Sequence, residues 1–237
     1  PFHKPHITKK EIDSVVETMQ SGWLTMGPKT LEFEEAFKQY IGSDYAISLN
    51  SATAALHLAL NAIGVKQGDE VIIPTNTFVA TAEAVAYSGA IPVLCDIEPN
   101  NHNINVDLIR DLVTTKTKAI IPVHFGGNPC DMDEIKKYAN HFNLKIIEDA
   151  AHALPSSYKN KIIGTLSDAV CFSFYATKTL TTGDGGMVTT NNSKIAEKIK
   201  IQRLHGISGD AWKRYGQNND WYYEVVDLGY KYNTTDI

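Results

Sequence analysis

The chain has 237 residues, 43% of them hydrophobic and 21% charged, with a formal net charge of −5. A chain of this length buries a sizeable core without disulfides or metals, and its mildly acidic balance lacks the clustered Lys and Arg that non-specific nucleic-acid binding needs. No apolar run approaches the roughly 18–20 residues of a bilayer span, and Pro1-Phe2-His3-Lys4 has no apolar signal core, so a cytoplasmic protein with no membrane segment is expected.

In chain order, the first 40 residues read as a helical segment packed on a larger domain of residues 41–237. An amphipathic helix is expected over Lys9–Met19, a turn over Ser21–Lys29 and a second helix over Leu31–Tyr40. The larger domain then alternates. Strand-like runs at Tyr45–Leu49, Val71–Ile73, Ile91–Cys95, Lys118–Val123, Leu144–Glu148, Ala169–Phe174 and Gly186–Thr190 are interleaved with helical patterns. The helices are expected over Ala52–Ile63, Thr77–Tyr87, Val106–Val113, Met132–Phe142 and Ser193–Leu204. This alternation predicts an α/β domain, with a mostly parallel sheet covered by helices on both faces. Both ends are expected to be trimmed: there is no initiating Met, and Asn233-Thr234-Thr235-Asp236-Ile237 carries capping residues before an apolar position, as a helix start does. Cys95, Cys130 and Cys171 are far apart and form no Cys-x-x-Cys pair, which suits a reducing compartment; no metal site is expected.

Ligands of open α/β sheets bind beyond the carboxyl ends of the strands. That rule singles out the positions after Leu49, Ile73, Glu148 and Phe174. After the first, Asn50-Ser51-Ala52-Thr53-Ala54-Ala55 opens a helix, whose free N–H groups favour an anion such as phosphate; the same residues would also serve as a plain N-cap. After the second, Phe78 could stack on a flat ring, or anchor the next helix by apolar contact. After the third, Asp149 could hold a ring nitrogen protonated, or cap a helix; His152 could be a ligand, or a core histidine with its hydrogen bonds met. After the fourth, Ser173-Phe174-Tyr175-Ala176-Thr177-Lys178 carries a Lys that desolvation would help to neutralise, making it able to form a Schiff base, unless it is a solvated loop Lys. Gly183-Asp184-Gly185-Gly186 suits a tight loop shaping the backbone near Lys178. A phosphate cradle, an aromatic, an acid and an amine thus fall at strand ends of one sheet.

This ordered set resembles the DegT/StrS family of pyridoxal-phosphate (PLP)-dependent sugar aminotransferases. The matching stretches are Ser21 to Lys29, Asn50 to Leu56, Thr77 to Thr81, Pro122 to His124, Glu148 to Ala153, Phe172 to Lys178, Gly183 to Val188 and Leu228 to Asn233, so the resemblance covers nearly the whole chain. It implies the three-layer α/β/α large domain of the aspartate aminotransferase-like fold, with a mostly parallel mixed sheet, and a smaller C-terminal domain that this stretch lacks. It implies that Lys178 forms the Schiff base with PLP, Asp149 pairs with the pyridine nitrogen, His152 lies by the ring hydroxyl and Phe78 stacks on the ring. Ala52, Thr53 and Ser173 would hold the phosphate, joined by Asn233 from the other subunit of a homodimer with shared sites. Thr25, His124 and Lys231 are the expected substrate residues. Two departures stand out: Ala52 replaces the usual Gly or Cys, and Asp184 replaces Glu.

The activity implied is transfer of an amino group from an amino acid, expected to be glutamate, to a nucleotide-linked keto sugar in amino-sugar and polysaccharide biosynthesis. The stretches Gly22–Lys29 and Gly229–Asn233 look closest to members acting at C4, with C3 and a non-catalytic PLP-binding regulator as alternatives. A dehydratase of the same family would carry His in place of Lys178, and a dinucleotide-dependent oxidoreductase would want Gly-x-Gly-x-x-Gly between a strand and a helix, which is missing.

Overall fold

The protein was analysed as a computed structural model that describes residues 3–208 and 223–237. In chain order the elements are α1 (Lys9–Ser21), α2 (Pro28–Ile41), β1 (Tyr45–Leu49), α3 (Ala52–Ala62), β2 (Glu70–Pro74), α4 (Val79–Tyr87), β3 (Ile91–Cys95), α5 (Val106–Leu112) and β4 (Thr117–Ile120). There follow α6 (Met132–Phe142), β5 (Lys145–Asp149), the short pair β6 (Ser157–Tyr158) and β7 (Lys161–Ile162), then β8 (Ala169–Ser173), β9 (Gly186–Thr190) and α7 (Ser193–Gln202). Local chemistry accounts for the boundaries. Thr8 and Glu11 form a reciprocal capping box at the start of α1, and Gly22 ends it at φ 75°, a left-handed conformation that glycine adopts without strain.

The seven-stranded sheet has the order β1-β9-β8-β5-β4-β2-β3. Every pairing from β8 through β5, β4 and β2 to β3 is parallel, whereas β9 is antiparallel to both β1 and β8. Six strands therefore run one way and β9 alone runs back, which is the mostly parallel mixed sheet expected. Successive residues of a strand point to opposite faces, and the core divides accordingly. Ile73, Ile121, Ile147, Cys171 and Val188 join one apolar cluster with residues of α3, α4 and α7. Their neighbours Ile72, Ile120, Ile146, Phe172 and Met187 join a second cluster with residues of α2, α5 and α6. The result is three layers, helices on sheet on helices. Helix α2 contributes Phe37 and Ile41 to that second cluster, whereas the one buried residue of α1 is Thr18.

Most elements shift by a residue or more from their expected bounds; two of the boundaries, and one hairpin that was not expected, have a local reason. The helix expected from Thr77 starts at Val79, because Phe78 has extended backbone (φ −71°, ψ 145°) and acts as the cap. The strand expected to reach Val123 stops at Ile120: Ile121 still donates to Ile72 O, but Pro122 has no N–H, and Val123 makes only an isolated bridge to Asp149. The hairpin β6–β7 has two residues a side, too few for an alternation pattern.

Polar groups tie the ends of the chain to this core. Arg203, just past α7, is buried and pairs with Glu34 of α2, while its Nη1 also donates to Ser48 O of β1 at 2.9 Å. Glu34 in turn accepts from the Ser48 N–H and hydroxyl at 2.8 and 2.7 Å. The Asp236 carboxylate accepts from the N–H groups of Gly27, Lys29 and Thr30 at 2.6, 3.0 and 3.0 Å. It therefore satisfies the first turn of α2, where negative charge also meets the positive end of the helix dipole.

Removing one partner of a buried ion pair strands the other charge. Arg203→Ala is expected to destabilise the protein by about 3 kcal/mol, measured as a lowered urea midpoint with unchanged slope; a midpoint within error of the parent would show that Glu34 is satisfied by Ser48 alone.

Candidate active site

Because β1, β2, β5 and β8 are parallel to one another and β9 is reversed, four carboxyl ends and one amino end meet along a single rim of the sheet. A cavity of about 700 Å3 opens there. It is lined, among others, by Ala52 and Thr53 at the start of α3, Phe78 before α4, Asp149 at the end of β5, His152 beyond it, and Ser173 and Lys178 after β8. These are the residues the sequence singled out for a cofactor, apart from Asn233. A smaller cavity of about 200 Å3 adjoins it, sharing Ala151, His152, Ser173, Thr177 and Lys178 and adding Gly126, Leu154 and Leu180.

The α3 end of the cavity is built by close backbone approach. Ser51 caps the helix, its hydroxyl accepting from Ala54 N at 3.1 Å. The N–H groups of Ala52 and Thr53 lie in the first turn, where no acceptor exists within the helix. Gly186, the first residue of β9, sits so near that a Cβ on it would lie 2.3 Å from the Ser51 carbonyl and 2.7 Å from Ala52 N. Only glycine lets β9 start there. The combination of unspent N–H groups, the positive end of a helix and a nearby Ser173 hydroxyl suits a small anion such as a phosphate group.

Asp149 is 5% exposed. Its Oδ2 accepts from the Thr81 hydroxyl at 2.8 Å and its Oδ1 from the Ala151 N–H at 3.1 Å. The backbone is held on both sides, since Asp149 N donates to Pro122 O at 2.9 Å and His124 N donates to Asp149 O at 3.1 Å. Across the cavity, burial lowers the affinity of Lys178 for its proton, and the charge of Asp149 partly opposes that. Burial, helped by the Lys178 charge and opposed by Asp149, likewise holds the His152 imidazole below its usual range. The site therefore sets a carboxyl group, an imidazole and an amine around one space, with burial shifting both the imidazole and the amine toward their neutral forms. Phe78 stands at the mouth with 76% of its surface exposed, a ring that would be covered by a flat group lying in the cavity.

The three expected substrate residues are not brought together. His124 reaches the cavity wall but is buried, its ring bound at both nitrogens: Nε2 lies 2.8 Å from Glu148 Oε2, and Nδ1 accepts from Cys130 N at 3.1 Å. Because Nδ1 accepts, the proton is on Nε2 and is given to Glu148. Thr25 and Lys231 lie outside the cavity. Thr25 bridges Thr235 and Lys231 bridges Leu204. Asn233 is also outside it; its Oδ1 is buried without a hydrogen-bond partner among the described residues. Thr81 and the Glu148–His124 pair are features that motif reading passed over. The spacing Thr77-x-x-x-Thr81, one helical turn, was the available signal for the first.

Comparison with known proteins agrees with this geometry. The model of the DegT/DnrJ/EryC1/StrS aminotransferase family matches residues 5–237. The chain is 58% identical over 237 residues to the uncharacterized protein MJ1066 of Methanocaldococcus jannaschii and 49% identical over 237 residues to the spore coat polysaccharide biosynthesis protein SpsC of Bacillus subtilis. In both cases all of this chain is covered but 61% of the relative, so it spans about three fifths of their length. Among solved structures, the putative sugar aminotransferase Spr1654 of Streptococcus pneumoniae in its PMP form matches with a TM-score of 0.91 at 38% identity, covering 100% of this chain and 64% of that one. The architecture is thus that of a sugar aminotransferase structure, the aspartate aminotransferase-like fold.

Two outcomes test the geometry without any ligand. Lys178 is expected to react with an amine-selective acylating reagent at lower pH than the exposed lysines, because its neutral fraction is larger; competitive labelling followed by mass spectrometry across a pH series measures this, and a Lys178 profile overlaying the exposed ones would contradict it. Gly186→Ala is expected to displace the Ser51–Ala52 backbone and destabilise the fold by about 1–3 kcal/mol, read by thermal melting; a parent-like melt would mean that the approach is looser than described.

Proposed function

Because the chain belongs to the DegT/DnrJ/EryC1/StrS aminotransferase family, we propose that it binds PLP in this cavity and moves an amino group from glutamate to a nucleotide-linked keto sugar, at C4. The observation that carries the reading is the placement of Lys178, Asp149 and an anion cradle around one cavity of suitable size. The residues fit the cofactor on chemical grounds. The Ala52 and Thr53 N–H groups with the Ser173 hydroxyl suit its phosphate, Asp149 suits a ring nitrogen, and the exposed face of Phe78 suits its flat ring. Spr1654 has been solved in PLP and PMP forms, which supports the same choice here.

When bound, PLP supplies an aldehyde that condenses with amines and a ring that withdraws electrons from the carbon being deprotonated. The chain's own residues do the rest. Lys178 would hold the cofactor through its Nζ, and its free amine would move a proton to and from the donor's Cα in one half-reaction and the sugar carbon that receives nitrogen in the other. Burial makes the neutral amine accessible for that task. Asp149, an acceptor fixed by two donors, would hold the ring nitrogen and favour its protonated form. His152, shifted toward its neutral form by burial and the Lys178 charge, would face the ring hydroxyl.

The finer assignments follow from further observations. C4 rests on the Gly22–Lys29 and Gly229–Asn233 stretches. A product destined for polysaccharide is supported by the name of SpsC. A homodimer with shared sites is supported by Asn233, whose buried Oδ1 has no partner among the described residues, and by the exposure of Phe78, Val79 and Tyr175.

The test is the visible absorbance of the purified protein with PLP. A yellow band that bleaches with glutamate and returns with a keto sugar nucleotide is expected; a band indifferent to every amino donor would favour a binding-only regulator. Lys178→Ala is expected to abolish turnover. Asp149→Asn is expected to slow it by about 100-fold or more with the fold intact, and a near-normal rate would mean that the carboxylate acts only as a cap.

A further inference from the structure

Thr81 is a polar side chain with no exposed surface. It lies on α4 one turn after Thr77, and the two hydroxyl oxygens are 2.7 Å apart. Its own Oγ1 lies 2.8 Å from Asp149 Oδ2. An ionised carboxylate only accepts, and a threonine hydroxyl has a single proton. Thr81 must therefore donate to Asp149, and the contact with Thr77 is left for Thr77 to donate. The proton order is fixed as Thr77 to Thr81 to Asp149.

This order has a geometric consequence. With the Ala151 N–H alone on Oδ1, the carboxylate could rotate about its Cβ–Cγ bond. A second donor on Oδ2 fixes the plane of the group and leaves each oxygen one further acceptor direction. The outer end of the relay, Thr77, directly precedes Phe78, the aromatic at the cavity mouth. A position that served only to fill space between α4 and the sheet would be met by valine, which matches threonine in shape and carries no hydroxyl to bury.

We propose that Thr81 is a positioning residue: its hydroxyl sets the plane of the Asp149 carboxylate toward the cofactor ring and, through Thr77, links that orientation to the turn bearing Phe78. The proposal rests on the reading of the cavity as a PLP site. It assigns a role to two hydroxyls that touch neither the reacting carbon nor the amine.

The experiment compares Thr81→Val and Thr81→Ser with the parent, using far-UV circular dichroism for the fold, the visible circular dichroism induced in bound PLP for ring orientation, and the single-turnover rate with glutamate. Thr81→Val is expected to keep its fold, to bind PLP about tenfold more weakly, to show a diminished induced signal and to react on the order of tenfold to a hundredfold more slowly at saturating glutamate. Thr81→Ser, which retains the hydroxyl, is expected to recover all three to within a few-fold. Should Thr81→Val fail to fold, Thr77→Val removes the outer donor at a half-buried position and is expected to weaken the induced signal alone. A folded Thr81→Val with the parent's signal and rate overturns the proposal and leaves the cofactor reading intact, as does an unchanged signal in Thr77→Val for the link to Phe78. Absence of a visible band in the parent protein overturns the cofactor reading, and the proposal with it.

Discussion

Strand β9 enters the sheet against the direction of its six partners, between two strands, β1 and β8, that are parallel to one another. Its first residue therefore lies opposite their last: Gly186 pairs with both Leu49 and Ser173. Had β9 run parallel, the loop Gly183–Gly185 would have ended at the far edge of the sheet. Instead it closes the same rim on which the start of α3 and the chain after β8 open. The reversal also brings β9 against the Ser51 carbonyl closely enough that no Cβ is tolerated, so one change of direction dictates a glycine, a cradle and the wall beside Lys178.

The second constraint is electrostatic. A carboxylate and an amine withdrawn from water each lose hydration, and each recovers part of it from the other and from fixed dipoles. Asp149 opposes the effect of burial on both Lys178 and His152. Lys178 and His152, by contrast, push against each other, which favours the neutral imidazole. Sheet pleating separates this system from a second one. Glu148, adjacent to Asp149 in β5, points to the opposite face and is wholly buried against His124. Two neighbouring acids thus do unrelated work: one faces the cavity, while the other pins the loop after β4 to the end of β5, on either side of the backbone bonds that hold Asp149.

Much of this was legible because strand ends are marked by composition. Runs such as Ile91–Cys95 or Ala169–Ser173 are short, apolar and flanked by polar turns, and the residues that follow them fall on the rim once the strands are taken as parallel. The reversal of β9 was not legible, since an apolar run has the same appearance in either direction. Nor was the partner of Asp149. Thr81 is 68 residues away in sequence, and the contact exists only because α4 lies over the sheet face to which Asp149 points. His124 shows what sequence leaves unsaid: it lines the cavity, but the fold also ties both of its ring nitrogens, to Glu148 and to Cys130. Sequence marks which residues are capable of chemistry, and pleating then decides which of them face the same space.

The chain's last segment shows how such a decision is enforced at a distance. Residues 228–237 have no regular secondary structure, yet Tyr232 O accepts from Asn50 N at 2.8 Å and Tyr230 N donates to Gln202 O at 2.7 Å. The two tyrosine rings stack on each other at 5.0 Å and meet the buried His57 of α3 edge-on, and Asp236 closes the first turn of α2. An extended stretch held at so many points has little freedom to swing. The stretch from Lys231 to Asn233 is consequently fixed beside Asn50, just before the cradle begins, without lining the cavity. Among the described residues the Asn233 side-chain oxygen is buried without a hydrogen-bond donor, and a buried acceptor left so is costly, so the fixed backbone on either side of it, rather than the amide itself, holds this stretch in place.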